Sequence, residues 1–222
     1  MLDDYAFMIV ACLDAYEASA ALTYFNFARE IAETMIRDFH DKTSGGFFDI
    51  PQRSGEAQNG NPVLGALTAS RKPLQDSPTP AGNPAAAIAL LRLHAWTNDA
   101  RYRDLAEDTL EAFAGIVEHY GLFSATYALA LGMYLKPHTQ VVITGTGPEA
   151  DLLYATAARS FSFHKSVLHL REAVAQNLPP GLAETIPNLP GINDGKAQAV
   201  ICTGFTCRPP VSDADELKRL LS

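Results

Sequence analysis

Three short clusters carry side chains able to do chemistry. Asp3, Asp4 and Tyr5 set two carboxyls beside a phenol. That combination suits acid–base work on a sugar, which needs two carboxyls with separated pKa values. Alternatively, Asp3 and Asp4 serve a helix first turn, where carboxylates complement the positive helix end. Arg71, Lys72, Asp76 and Asn83 form the second cluster. Arg71 and Lys72 can clamp a hydroxyl-rich or anionic ligand, with Asp76 as acceptor or general base and Asn83 as a further ligand contact. The competing reading is a salt-bridged loop anchor, with Asn83 as the N-cap before a first-turn Pro84. The third cluster is Gly45-Gly46-Phe47-Phe48-Asp49. Its glycines permit positive φ, and Phe47 and Phe48 can form a sugar-stacking wall; the more common arrangement for such a sequence is a turn with one Phe in the core.

Cys202 and Cys207 fit a redox pair, a metal pair or two inert buried thiols, the last being the usual state of such residues. No His or further Cys stands at ligand spacing, so no zinc is expected, and no motif calls for a cofactor. The six histidines are scattered without a His-x-x-x-His or His-Glu-x-x-His pattern. Thr144-Gly145-Thr146-Gly147 lies between a strand and a helix. It lacks the remaining glycine of a dinucleotide loop and the Lys of a P-loop, so it reads as turn geometry. The absence of a Gly-x-Ser-x-Gly elbow leaves no case for a serine hydrolase.

The elements that must position these clusters alternate in character. Residues 3–19, 84–96 and 122–134 are apolar nearly all round, which predicts buried helices. Residues 23–39 and 99–120 are apolar on one face only, which predicts helices wet on the outside. Stacked helical hairpins in two concentric layers produce this inner–outer order. An excursion over 43–79 separates the first hairpin from the second, and loops of this length are commonly functional. Beyond Pro137 the pattern changes. Short strands are predicted at 140–144, 166–170 and 199–202, and helices at 149–161 and 213–221, the last capped by Ser212. A Pro/Gly-rich loop runs from Asn177 to Asp194.

Composition sets the outer bounds. The chain has 222 residues, 47% of them hydrophobic, with a formal net charge of -8. It carries no basic footprint for nucleic acid or for an anionic membrane surface. No apolar run is long enough to cross a bilayer, and no signal-peptide pattern opens the chain. Three cysteines are too few for a disulfide framework, so a reducing cytoplasm is the expected compartment.

Leu2-Asp3-Asp4-Tyr5-Ala6, Gly45-Gly46-Phe47-Phe48-Asp49, Arg71-Lys72-Pro73 with Asp76, Ala81-Gly82-Asn83, Ala199-Val200-Ile201-Cys202 and Cys207-Arg208-Pro209-Pro210-Val211 occur in that order. Together they closely resemble the C-terminal third of the thioredoxin-domain-containing YyaL / spermatogenesis-associated protein family, over nearly the whole chain. A departure stands at Asn83-Pro84, where a Ser commonly follows the Asn, and no thioredoxin-like Cys-x-x-Cys is present. The resemblance implies that longer members carry an N-terminal thioredoxin-like domain and an (α/α)6 toroid like that of six-hairpin glycosidases. The expected fold is therefore mainly α: an incomplete (α/α)6 toroid of helical hairpins over residues 1–137, with a small C-terminal α/β appendage over 138–222. In such a ring the site lies at the mouth, near the N-termini of inner helices. Two functions compete. One binds or processes a carbohydrate. The other is a non-catalytic helical scaffold serving a thioredoxin-like domain in redox or protein quality control. The expected partners are a saccharide and either the missing N-terminal half of the ring or a second copy of the chain. Nucleic acid and membrane are not expected.

Overall fold

The computed structural model describes residues 1–52, 70–171, 178–190, 192 and 194–221. Part of the 43–79 excursion and part of the 177–194 loop lie outside these residues. Five helices come first: α1 (Leu2–Ser19), α2 (Leu22–Phe39), α3 (Gly82–Thr97), α4 (Ala100–Ala114) and α5 (Ala125–Leu135). Ala20 and Asn98 end α1 and α3 in left-handed conformations, φ 56° and 59°. Their amides return to Tyr16 O and His94 O at 2.7 and 2.8 Å, closing orphan carbonyls at the helix ends. The helix predicted over 99–120 stops earlier, at Ala114. Gly115 follows, and a 3-10 stretch takes over at Val117–Ser124.

Burial separates the three helices predicted to be inner. α3 is buried on all sides along most of its length. α1 is buried on one stripe, at Leu2, Ala6, Ile9, Leu13 and Tyr16, while Phe7 and Met8 are exposed. α5 buries Thr126, Tyr127 and Ala130 and exposes Leu129 and Leu135. The inner reading thus describes α3 and not the full girth of α1 or α5. Apolarity states what a surface prefers, and a neighbour must be present to satisfy it. α2 and α4 are one-sided, as their periodicity predicts; α4 buries Tyr102, Leu105, Ala106, Leu110 and Phe113.

The remaining chain builds a mixed sheet. Its strands are β1 (Thr139–Thr144), β2 (Lys165–Leu170), β3 (Gln198–Thr203) and β4 (Thr206–Cys207). The order is β2-β1-β3-β4, with β1 parallel to β2 and antiparallel to β3. α6 (Pro148–Arg159) joins β1 to β2, the crossover that parallel strands require. The short helix α7 (Pro180–Ala183) precedes β3, and α8 (Ala214–Leu220) follows β4. Val141, Ile143, Ala199 and Ile201 share a core with Ala150, Leu153 and Ala157 of α6 and Leu217 of α8. Strand alternation turns Gln140, Val142, Val200 and Cys202 to the opposite face, and these are buried too. Asp213, not Ser212, caps α8: its carboxylate accepts from Glu216 N at 2.7 Å. Asp is as good a cap as Ser, and it stands one residue nearer the first turn.

By compactness the chain divides into two units. One comprises Met1–Val10, Ala28–Leu91 and Arg101–Tyr134; the other comprises Ala11–Phe27, Arg92–Ala100 and Leu135–Ser222. The division falls inside α1, α2 and α3, after the first residue of α4 and before the last of α5. The second unit holds the single tryptophan, Trp96, buried edge-on against Tyr16 with ring centroids 5.5 Å apart.

Candidate functional site

The first unit brings most of the predicted site residues into one knot, and their bonds are directed at backbone. Asn83 is fully buried. It lies inside α3 and does not cap it. Its Oδ1 accepts from Phe47 N at 2.6 Å, and its Nδ2 donates to Phe47 O and Pro73 O at 2.9 and 3.0 Å. Three segments distant in sequence are thereby joined by one amide, and its oxygen and nitrogen are engaged within the knot. Asp76 is likewise occupied: Oδ1 accepts from Ala81 N and Oδ2 from Thr126 N, both at 2.8 Å.

Lys72 pairs with Asp41 Oδ2 at 2.7 Å, donates to Gly45 O at 2.6 Å and lies 5.3 Å from the Phe48 ring centroid. Asp41 also receives Thr43 N and Ser44 N on Oδ1. The Lys72 hydrogen bond, followed by these amides, holds its carboxyl below the usual carboxylate range. Gly45 and Gly46 complete the turn at φ 68° and 70°. A Cβ on Gly45 would stand 2.6 Å from Asp108 O, so the turn has no room for a side chain there. Phe47 is core, bridged to His40. Phe48 is half-buried beneath the Lys72 ammonium. Arg71 acts through its backbone: its N donates to Asp49 Oδ1 at 2.9 Å and its O accepts from Asp49 N at 2.7 Å.

The acidic N-terminal cluster is looser. Asp4 is exposed and pairs with the terminal ammonium at 2.9 Å. Tyr5 packs on Phe39, with ring centroids 5.0 Å apart. Asp3 lies against the first residue of α3: a Cβ on Gly82 would stand 2.2 Å from its Oδ1. Burial, then the Asp4 charge, raises the Asp3 carboxyl above its ordinary value. A cleft of about 400 Å³ is lined by His40, Asp41, Lys42, Gly45, Asp108 and Glu111 among others. Asp3, Asp4 and Asp76 are not among its lining residues. Asp41 is missed by a reading that looks for reactive groups. Its signal is conformational: Asp followed by Thr43, Ser44 and a glycine pair is an Asx-turn pattern.

The second unit holds a polar chain that the sequence reading also missed. Arg92 bridges Asp14 and Glu17, each at 2.7 Å. Ser166 Oγ donates to Glu17 Oε1 at 2.8 Å, and His138 Nε2 lies 2.9 Å from the same Oγ. The single hydroxyl proton goes to Glu17, so His138 Nε2 is the donor and Ser166 is not activated by it. Burial, then the Arg92 charge, pushes His138 down to about 3, so it is neutral at pH 7. A lone Arg inside the apolar run Leu90-Leu91-Arg92-Leu93 was the available signal, since a buried guanidinium needs carboxylate partners.

Cys202 and Cys207 are joined as a disulfide. Of the three readings left open, this corrects the default one of two inert buried thiols. Register made the pairing hard to foresee, because β4 is only two residues long. In the Thr144–Gly147 turn, a Cβ on Gly145 would lie 3.0 Å from Ala197 Cα, so that glycine serves close packing. Among the described residues no group of three or more His, Cys, Asp or Glu could hold a metal ion. No helix among them is long and apolar enough to cross a membrane.

No protein-family profile matches the chain. It is 29% identical to human spermatogenesis-associated protein 20 over 224 residues, covering 99% of this chain and 27% of that protein. The mouse protein of the same name is 28% identical with the same coverage. An uncharacterized Caenorhabditis elegans protein, B0495.5, is 26% identical over 99% of this chain and 28% of its own length. The chain is thus similar from end to end to spermatogenesis-associated protein 20, and it spans about a quarter of the length of these relatives.

Proposed function

We propose that the chain is a non-catalytic helical scaffold within a longer protein, part of an incomplete (α/α)6 ring that serves a thioredoxin-like domain in redox or protein quality control. The observation that carries this reading is the occupation of Asp76 and Asn83. Both carboxylate oxygens of Asp76 and the whole amide of Asn83 are spent on backbone groups. A general base must reach the proton it abstracts, and a carboxylate that accepts two amides within the fold is serving the fold. In this reading residues 1–137 form the ring segment and 138–222 the appendage. The remainder of the ring covers the apolar side chains that Val117–Ser124 and α5 leave in water.

A second reading keeps a carbohydrate as ligand and rests on Asp3. Its raised carboxyl beside Asp4 resembles the acid of a glycosidase pair, with Tyr5, Arg71 and the Phe48 ring as contacts for the sugar. Thermal unfolding with a panel of mono- and oligosaccharides, on this chain and on a full-length relative, separates the two. The scaffold reading expects no shift in Tm. A dose-dependent rise that Asp3→Asn abolishes would replace it with the carbohydrate reading, since ligand at a hundredfold excess over Kd stabilises by about 2.7 kcal/mol.

A further inference from the structure

We propose that the Cys202–Cys207 disulfide is a thiol–disulfide exchange site for a dithiol protein of thioredoxin chemistry, in which Cys207 is the sulfur attacked and Cys202 the sulfur released. This gives the redox side of the scaffold reading an address on the chain, and it rests on that side alone.

The hairpin is built by its backbone, independently of the sulfur bond. Arg208 N donates to Ile201 O at 2.9 Å, and Cys202 is the register partner of Cys207. Ile201 and Arg208 therefore form a hydrogen-bonded pair. Cys202 and Cys207 are the adjacent non-hydrogen-bonded pair, the position where opposed side chains come closest. Gly204 and Phe205 turn the chain with positive φ at both positions, 56° and 64°, as a tight primed hairpin requires. The Phe205 ring packs edge-on against His94, with centroids 5.3 Å apart. A cross-link between residues only five apart removes little freedom from the unfolded chain. Opening the bond leaves these backbone and ring contacts in place, so the bond is not what defines the fold here.

Access decides the direction of attack. Cys202 has 0% exposure, on the face of the sheet that also carries the buried Gln140 and Val200. Cys207 is partly exposed, between exposed Thr206 and Arg208, on β4 at the open edge of the sheet. Of the two residues only Cys207 presents surface to solvent, which directs an incoming thiolate to Cys207 Sγ. The partner's thiolate bonds to Cys207 Sγ as the Cys202–Cys207 bond breaks. Cys202 leaves with the electron pair and takes a proton. The partner's second thiol then attacks its own sulfur in the mixed disulfide and releases Cys207 as a thiol. In sum the partner dithiol is oxidised to a disulfide, and two electrons and two protons pass to this pair.

The test uses thioredoxin with its reductase and NADPH as the probe, on the full chain. Alkylation after denaturation is expected to mark one cysteine, Cys12, in the oxidised protein and all three after thioredoxin treatment. Mapping of the mixed disulfide formed by wild-type protein with glutathione is expected to find the adduct on Cys207. With thioredoxin lacking its resolving cysteine and activated as the thionitrobenzoate, Cys202→Ser should couple at least tenfold faster than Cys207→Ser. A pair that stays reduced under oxidised glutathione, a disulfide that thioredoxin leaves intact, or an adduct on Cys202 would each overturn the proposal. The wild-type mapping decides the direction even where a serine variant fails to fold. None of these readouts depends on sugar turnover, so a failure of the scaffold reading through the saccharide screen would leave the exchange result standing.

Discussion

Asn83 is a small side chain with a large share of the first unit's cohesion. Its Oδ1 and Nδ2 reach Phe47 and Pro73, residues 36 and 10 positions away in sequence. Asn83→Ala would leave a buried N–H and two carbonyls without their side-chain partner. Leaving buried polar groups unmatched costs about 1–3 kcal/mol each, so a loss of about 3 kcal/mol is expected. Urea unfolding should show it as a lower midpoint at unchanged m. A loss under about 1 kcal/mol would mean the contacts relax onto other partners. The same residues show where sequence reading stops. The types at positions 71–83 were legible as a polar cluster. Whether Asp76 meets a ligand or an amide depends on Thr126, fifty residues on, and nothing in local spacing gives that distance.

Helices α1 to α4 were legible because their apolar periods are local properties; the predicted and observed limits differ chiefly where Gly115 cuts α4 short. The placement of α5 was not legible. A segment apolar all round declares a preference for burial and leaves unstated what buries it. The 3-10 stretch and α5 leave Leu122 92% and Phe123 56% exposed, with Ile116 and Leu129 also in water. In the proposed ring these side chains meet further hairpins. In the chain alone they should drive concentration-dependent self-association, measurable by light scattering and reduced by Leu122→Ser with Phe123→Ser. A monodisperse monomer at high concentration, with scattering indifferent to those substitutions, would remove the case for a covering element. The edge hairpin β3–β4 was half visible: the cysteines stood out, while their register did not, because a two-residue strand carries no alternation to read.

Across the whole molecule, half-buried imidazoles contribute to the response to acid. Burial lowers His40, His138 and His164 alike, His138 to about 3. His138 is therefore neutral in the folded chain at neutral pH, and an unfolded imidazole titrates near 6.5. A depressed folded value means that the stabilisation is complete above about pH 6.5 and is lost as pH falls toward the folded pKa. From neutral pH to pH 5, His138 alone accounts for a loss of about 2 kcal/mol. Chemical denaturation at steps between pH 7.5 and 5 should trace that slope, and His138→Gln should flatten it. A slope that His138→Gln leaves unchanged would assign the acid sensitivity elsewhere.

The lone indole of Trp96 belongs to one of the two units, fully buried and edge-on to the Tyr16 phenol ring. Its emission therefore behaves as a private gauge. A spectral shift on heating registers the loosening of the sheet-bearing part alone, while far-ultraviolet dichroism averages over every helix. Overlaying the two curves turns a question about the cooperativity of the molecule into a comparison of two midpoints, with no label attached.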